Sequence, residues 1–236
     1  MKSFLTLLLV IVAISCNTTT KQDESSSNDT TITKNETVKI TKELTEAQKI
    51  ANAYGYKHWD SIRELSFTFN VDRNGNHFER SWYWNRDKDE VTLLSQKDTL
   101  TYNRSKVDSS SQKTDQAFVN DIYWLLTPFN IATDEGTTVN YTTQKIAPIG
   151  KDTLNQLTLT YANESGGYTP GDAYDFYYTN DYQIKEWVYR AKNGTQASMI
   201  TTWENEQDYE GITIPTVHQN EDKTFQLYFT NISLKK

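Results

Sequence analysis

The residues with catalytic or metal-binding chemistry are few and widely spaced. The three histidines, His58, His77 and His218, lack the i, i+4 spacing that places two zinc ligands on one helix face. There is no G-x-S-x-G elbow, and the single cysteine lies near the N terminus, so the sequence offers no nucleophile with a base in reach. We therefore expect a protein that is not an enzyme and that binds neither a metal nor a cofactor.

Carboxylates offer one other route to catalysis, because a pair of them can hydrolyse a glycosidic bond. The candidates are Glu79, Asp172, Asp175 and Glu186. Their spacing does not indicate which two would form a pair. We favour the interpretation that these carboxylates lie on solvent-exposed strand faces. Asp72, Asn74 and Asn76 resemble the start of a calcium loop, but glycine follows at the fourth position instead of the sixth. That order favours a hairpin turn.

Cys16, the only cysteine, follows an apolar run that begins after Lys2 and spans residues 4–14. A positive start, a short apolar core and small residues before a cleavage point are typical of a signal peptide, here residues 1–15. Ala13-Ile14-Ser15-Cys16 resembles the bacterial lipobox, which implies that Cys16 is acylated. We expect a lipid anchor at Cys16 and, since the apolar run is far shorter than about 18 residues, no permanent transmembrane span.

The rest of the chain divides into a tether and one domain. Residues 16–37 are almost entirely polar, with Ile32 as the only aliphatic residue, so they cannot form a core. Residues 38–236 contain no second low-complexity break and predict a single domain. The formal net charge of −7 argues against a nucleic-acid partner, because phosphates require a basic surface.

The aromatic and threonine content is typical of β structure, and Asn74-Gly75 predicts a two-residue hairpin turn. This turn pairs Val71 with Phe78, Phe69 with Arg80, Phe67 with Trp82, and Leu65 with Trp84. Nearly every apolar side chain then lies on one face. A slip of one residue would scatter them over both faces, which supports this register.

A second turn is predicted at Asn193-Gly194. It pairs Val188 with Met199 and Ile184 with Trp203 on one face, and Trp187 with Ile200 on the other. Both faces of this ribbon would then be apolar, so both would have to be covered.

Six further strands are predicted from alternating patterns between turn residues. They are residues 90–96, 99–103, 138–146, 155–161, 173–179 and 223–234. Thr45 and Gln48 form a capping box that begins a first helix. A second helix is expected over residues 114–126, ending near Pro128. The pattern predicts an α+β protein of about ten or eleven mostly antiparallel strands with two or three helices.

Several stretches together resemble a family of Bacteroidota lipoproteins. They are residues 120–129, 167–174 and 184–189, and Thr202-Trp203 followed by Tyr209, Gly211, Ile212 and Pro215. The likeness covers most of residues 44–232, and the whole pattern is similar to the outer-membrane lipoprotein carrier and receptor (LolA/LolB-like) fold. That resemblance implies an unclosed β-barrel, or half-barrel, whose concave face is covered by helices and holds acyl chains.

The resulting hypothesis is a non-enzymatic lipoprotein of the cell envelope, anchored to the outer membrane through Cys16, that binds an apolar or lipidic ligand. The predicted ligand-lining residues are Phe67, Phe69, Trp82, Trp84, Trp187 and Ile200. The predicted lid residues are Phe118, Ile122 and Leu125. Two alternatives remain open, a glycan-binding surface module and a scaffold lipoprotein of an envelope complex. An apolar hollow favours a lipid, a shallow aromatic groove favours a sugar, and a packed interior favours a scaffold.

Overall fold

A computed structural model describes residues 43–94, 99–164 and 168–236 of the chain. All of them belong to one compact unit, Lys42–Lys236. The predicted signal peptide, Cys16 and the tether lie outside the described residues. Within the described ranges, no helix is long and apolar enough to span a bilayer.

The described residues form twelve strands and two α-helices. The strands are β1 (Glu64–Arg73), β2 (Asn76–Asn85), β3 (Glu90–Leu94), β4 (Thr99–Asn103), β5 (Thr137–Ile146), β6 (Thr153–Tyr161), β7 (Ala173–Tyr178), β8 (Ile184–Arg190), β9 (Met199–Thr202), β10 (Glu204–Tyr209), β11 (Ile212–Gln219) and β12 (Phe225–Lys235). The helices are α1 (Glu46–Ala53) and α2 (Gln112–Thr133), with short 3₁₀ helices at Tyr56–Ser61, Arg104–Lys106 and Ala191–Asn193. The six strands predicted from alternation are all present within two residues of their expected bounds, apart from residues 95 and 96, which are not described.

The strands form two antiparallel sheets. One sheet has the order β10-β11-β12-β1-β2-β3-β4, and the other has the order β5-β6-β7-β8-β9. Only Trp203 separates β9 from β10, and its backbone N–H donates to Lys185 O at 2.8 Å. The sheets therefore meet where the chain passes from β9 into β10, whereas β4 and β5 lie at the opposite ends and do not pair with each other. This unclosed antiparallel architecture confirms the predicted fold class, with twelve strands instead of ten or eleven.

The first hairpin has the predicted register. Leu65 pairs with Trp84, Phe67 with Trp82, Phe69 with Arg80 and Val71 with Phe78. Asn74 and Gly75 have φ values of 50° and 78°, which is the pair of positive values that a type I′ turn requires. The turn thus explains the calcium-loop resemblance of the neighbouring Asp and Asn residues.

The predicted register of the second hairpin is wrong by one residue. Val188 pairs with Ile200, Tyr189 with Met199 and Trp187 with Thr201. The connection is longer than two residues, because a 3₁₀ turn forms at Ala191–Asn193 and Ser198 N donates to Tyr189 O at 2.8 Å. The slip gathers Trp187, Tyr189 and Met199 on one face. The opposite face of β7 and β8 carries polar residues as well as Val188, including an ion pair between Asp175 and Arg190, so the ribbon is not apolar on both sides.

The helices begin as predicted, but the second one ends later. Thr45 Oγ1 accepts from Gln48 N at 3.2 Å while Thr45 N donates to Gln48 Oε1 at 3.0 Å, which confirms the capping box. Pro128 lies inside α2 instead of ending it. Proline cannot donate to the preceding turn and its ring crowds that turn, and the helix accommodates it through a non-helical residue, Leu126, with φ −119° and ψ 18°.

The core lies between α2 and the two sheets. On one side of the helix, the ring of Phe118 lies 5.3 Å from Trp82 in β2. On the other, Trp124 lies 4.2 Å from Trp187 in β8. The largest fully buried residues are Trp82, Trp187, Trp203, Tyr54, Tyr178, Phe67, Phe118 and Phe176. Helix α2 therefore joins both sheets through aromatic contacts.

Candidate functional site

A groove of about 1060 Å³ follows α2. It runs from Asp115 near the start of the helix to Asp134 just after its end. One wall is formed by the first 3₁₀ helix and by β2, through Tyr56, Trp59 and Trp84, and the other by strands β6 to β9. Eleven of the lining residues are aromatic, so the groove can bury apolar surface over much of its length.

The wall on the five-stranded sheet is a continuous stack of rings. Trp187 lies 5.2 Å from Tyr174, and Tyr174 lies 5.2 Å from Tyr189, both in near-parallel orientation. Neighbouring strands bring these side chains together, because β7 pairs with β8 in antiparallel register. Offset stacked rings of this kind stabilise each other by about 0.5–1.5 kcal/mol per pair beyond their buried area, so this wall is already assembled without a ligand.

A buried carboxylate, Asp115, lies at one end of the groove. It accepts hydrogen bonds from Tyr102 at 3.0 Å and from Tyr168 at 2.7 Å, and Arg104 Nε lies 3.4 Å away. The bond to Asp115 raises the pKa of Tyr168. The Arg104 guanidinium also lies 5.8 Å from the ring centre of Trp84, within the range of a cation–π contact.

A second polar cluster marks the other end. The Tyr161 hydroxyl donates to Asp134, and the Tyr123 hydroxyl lies 3.3 Å from that of Tyr161. Burial raises the pKa of Asp134 above its usual range, although the bond from Tyr161 opposes this shift. Both ends of the groove thus combine tyrosine hydroxyls with a carboxylate, and the aromatic walls lie between them.

Two of the tryptophans that line the groove carry unused donors. Nε1 of Trp84 and Nε1 of Trp187 are buried and have no acceptor among the described residues. An unpaired buried donor costs about 1–3 kcal/mol. Because both nitrogens are shielded from solvent, a ligand in the groove would not reach them without movement of the surrounding side chains.

The structure divides the predicted lining and lid residues among three places. Trp84, Trp187 and Ile122 line the groove. Phe67, Phe69, Trp82, Phe118 and Leu125 do not; they are buried in the core. Ile200 instead borders a separate pocket of about 230 Å³ with Arg73 and Phe225.

The residues considered for catalysis have structural partners. His77 lies on the exposed part of the first hairpin, with Nδ1 2.7 Å from Asp72 and Nε2 3.6 Å from Glu79. Glu186 accepts from Ile149 N at 2.7 Å and from Gly150 N at 2.5 Å, while Asp175 is paired with Arg190. Asp172 accepts from the Tyr189 hydroxyl at 2.9 Å. His218 is fully buried beside Trp203, and the described residues contain no cluster of three or more side chains able to hold a metal ion.

Sequence reasoning missed the polar ends of the groove. The partners of Asp115 are 11, 13 and 53 residues away, and Tyr161 is 27 residues from Asp134. Separations of this kind show no periodicity, and only the sheet order brings the partners together. The stretches 120–129 and 167–174 contain several of the groove residues, but nothing in the sequence indicated which side chains would meet.

The fold and the groove define an open antiparallel β protein with an aromatic cavity beside its long helix. No protein-family model matches the sequence, and no curated protein matches it. Among solved structures, the chain is similar to a DUF1329 family protein from Desulfovibrio piger, with 11% identity and a TM-score of 0.46 over 80% of this chain and 92% of that one. It is also similar to a LolA superfamily protein from Nitrosomonas europaea, with 12% identity and a TM-score of 0.43 over 82% of this chain and 95% of that one.

Proposed function

We propose that this protein binds an amphiphilic, lipid-type ligand in the groove along α2 and does not transform it. The observation that carries the proposal is the unfilled space of about 1060 Å³ between walls rich in aromatic residues. Pockets for small molecules usually enclose about 300–1,000 Å³ and are lined mainly by apolar and aromatic side chains with a few polar groups. Fifteen of the groove's lining residues are apolar or aromatic and nine are polar, so the groove is more polar than a typical apolar pocket and suits an amphiphile. Its unfilled volume favours binding over a purely packed scaffold.

The free energy for binding would come from burial of the ligand's apolar part. An acyl chain that loses about 300 Å² of exposed surface gains roughly 7 kcal/mol before ordering costs, at about 25 cal/mol per Å². Tyr189 and Trp84 are partly exposed in the groove and supply surface for that burial. The buried rings of Trp187 and Tyr174 support Tyr189 from inside the sheet. Because these three rings are already stacked, little side-chain entropy would be lost when the ligand arrives.

The polar part of the ligand would lie at an end of the groove. The hydroxyls of Tyr161 and Tyr168 already donate to Asp134 and Asp115, so their oxygens remain as acceptors at the two ends. A ligand hydroxyl or amide N–H provides the donor that such an oxygen accepts. These contacts favour an amphiphile with a donor-bearing head group over a plain hydrocarbon.

A glycan is the second candidate, and one observation favours it. Tyr168 at the Asp115 end is 41% exposed, beside the buried carboxylate. Sugars bind to exposed rings that stand next to hydrogen-bonding groups, and this end of the groove has both. A glycan ligand would occupy the rim near Tyr168 and leave the inner wall of Trp187 and Tyr174 untouched.

Native mass spectrometry of the full chain, released gently from detergent, tests the proposal. We expect the parent protein to retain a lipid mass, and the groove-filling variant Val119→Trp/Ile122→Trp to lose it. Lys113→Trp, on the same helix but outside the groove lining, is the matched control and should retain the lipid. Binding of oligosaccharides but not lipids, retained in the groove-filling variant and lost in Tyr168→Ala, would support the glycan candidate. Equal retention of lipid in all three proteins would refute a role for the groove.

Anchoring through Cys16 and residence at the outer membrane are further parts of the proposal. The lipobox-like sequence before Cys16 supports them. Growth with a labelled fatty acid should place the label on the protein, and Cys16→Ala should abolish it and release the chain from the membrane fraction. Unlabelled parent protein would rule out the anchor without affecting the groove.

A further inference from the structure

Strand β5 is a free sheet edge. It pairs with β6 on one side, and no strand among the described residues lies along its other side. Every residue of β5 after Thr137 is exposed. A free edge presents a row of unpaired backbone donors and acceptors to any strand that approaches it.

The other sheet edges differ from β5 in length or in charge. Strand β4 has five residues and β9 has four. Strand β10 carries Glu204, Glu206 and Asp208, a common protection against pairing between edges. Strand β5 has ten residues, and its first charged residue is Lys145, near its end.

Strand β5 also exposes apolar side chains. Val139 and Tyr141 are 39% and 64% exposed, and they pair with Leu159 and Leu157 of β6, which are fully buried. Directly paired residues lie on the same face of a sheet. The apolar inner face of the sheet therefore continues onto β5, where Val139 and Tyr141 are partly open to solvent.

The sequence around Asn140 is nearly palindromic. It reads Thr-Val-Asn-Tyr-Thr from Thr138 to Thr142. If two copies meet in antiparallel register about Asn140, each Val139 lies opposite the partner copy's tyrosine and each Thr138 lies opposite a threonine. Pairs of an aromatic with a β-branched residue, and pairs of threonines, are favourable across strands.

We propose that two copies of this protein associate through β5, as an antiparallel strand pair with its two-fold axis at Asn140. The register shift between Thr142 and Lys145, with Gln144 at φ 56°, bends the strand and limits the pairing to this short segment. Because the same edge is used on both copies, the contact closes as a dimer and cannot extend into a fibre. The association is weak because the segment is short.

A charge-swap experiment tests the partner and the register together. In the full chain in detergent, Val139→Lys/Tyr141→Lys places like charges opposite each other at both pairs, and sedimentation should show self-association about tenfold weaker or lost. Val139→Lys/Tyr141→Glu creates opposite charges at the same two pairs and should restore it. Equal loss in both variants, or a parent protein that stays monomeric throughout a concentration series, would overturn the proposal.

Cross-linking supplies an independent readout. Asn140→Cys places two thiols at the two-fold axis, where oxidation should link the copies and a peptide containing both thiols should be found by mass spectrometry. Thr101→Cys, on the exposed edge strand β4, is the matched control and should not link. If oxidation links Asn140→Cys no more than it links Thr101→Cys, the dimer is refuted.

Discussion

Arg80 of β2 binds Asp121 of α2 through two hydrogen bonds, from Nε and from Nη2, the latter at 2.5 Å. Trp82 Nε1 donates to the same carboxylate at 2.8 Å, and Asp121 is fully buried. The three bonds fix the helix to the seven-stranded sheet on the side where Phe118 contacts Trp82. The groove-lining side of α2 is thereby held in a constant position.

Removal of this carboxylate should strongly destabilise the protein. Asp121→Ala leaves the Arg80 guanidinium and the Trp82 indole without their acceptor, and we expect the free energy of unfolding to fall by about 3–5 kcal/mol. Arg80→Met/Asp121→Leu removes both charges and should cost less than Asp121→Ala alone. Denaturant unfolding of the single and double variants measures the difference.

The exposed pair of Arg63 and Asp87 is the control for this prediction. Its atoms lie 3.2 Å apart, but both side chains are more than half exposed. Asp87→Ala should therefore change the free energy of unfolding by less than about 1 kcal/mol. If Asp121→Ala cost no more than Asp87→Ala, the ion pair could not be what fixes α2.

Acid should destabilise the protein through His218. Burial lowers the pKa of this side chain from 6.5 to about 3. The folded protein therefore keeps His218 neutral, while in the unfolded chain this side chain takes up a proton. The folded state is destabilised progressively as the pH is lowered from 6.5 towards 3. When the pH is lowered from 7 to 5, we expect His218 to reduce the free energy of unfolding by about 2 kcal/mol.

His218→Phe should remove this part of the pH dependence, because the ring remains but cannot take up a proton. Unfolding curves at several pH values provide the measurement. His77 is the comparison, since its hydrogen bond to Asp72 raises its pKa. That shift has the opposite sign: it stabilises the folded state at low pH, and the stabilisation is lost as the pH rises. His77→Gln should therefore not reduce the loss of stability in acid.

The two sides of α2 should respond differently to truncation. Phe118 and Leu125 are buried in the core, and their replacement by Ala should cost about 3–5 and 2–5 kcal/mol. Ile122 lines the groove and is only half-buried, so Ile122→Ala should cost about 1 kcal/mol and weaken ligand retention. Unfolding midpoints and native mass spectra of the three variants distinguish the two effects. A large loss of stability in Ile122→Ala would place this side chain in the core.

Local chemistry decided which parts of the fold could be predicted from sequence. Asn74-Gly75 has both residues at positive φ and connects two strands of ten residues each, so the turn and the apolar pattern agree on one register. Asn193-Gly194 has the same two residue types, but Gly194 has φ −62°, and the positive φ angles are those of Lys192 and Asn193. The longer connection that results cannot be recognised from the dipeptide alone.

The groove could be predicted only in part, for a related reason. Trp84 and Trp187 could be predicted as lining residues because each belongs to an apolar strand face. The sequence could not show that Phe67 and Phe69 pack against Phe229 of β12 and are buried in the core. It also could not show how far α2 continues past Pro128, and that extension places Asp134 at the end of the groove.

Two glycines with the same backbone conformation should tolerate alanine very differently. Gly55 and Gly75 have φ values of 86° and 78°, so alanine at either position adopts a left-handed conformation that costs about 1–2 kcal/mol. A methyl group at Gly75 would meet no atom within 4 Å, whereas one at Gly55 would lie 2.1 Å from the carbonyl oxygen of Gly211.

That oxygen belongs to the tight turn between β10 and β11, where Gly211 itself has φ 87°. The backbone there cannot yield as a flexible side chain would. Gly55→Ala should therefore cost about 3 kcal/mol or more, and Gly75→Ala only about 1–2 kcal/mol. Thermal or denaturant unfolding of the two variants gives the comparison. Equal losses of stability would mean that the segment after α1 can move away from the β10–β11 turn without cost. The contact between Gly55 and Gly211 would then not hold the first 3₁₀ helix, with its groove residues Tyr56 and Trp59, in place.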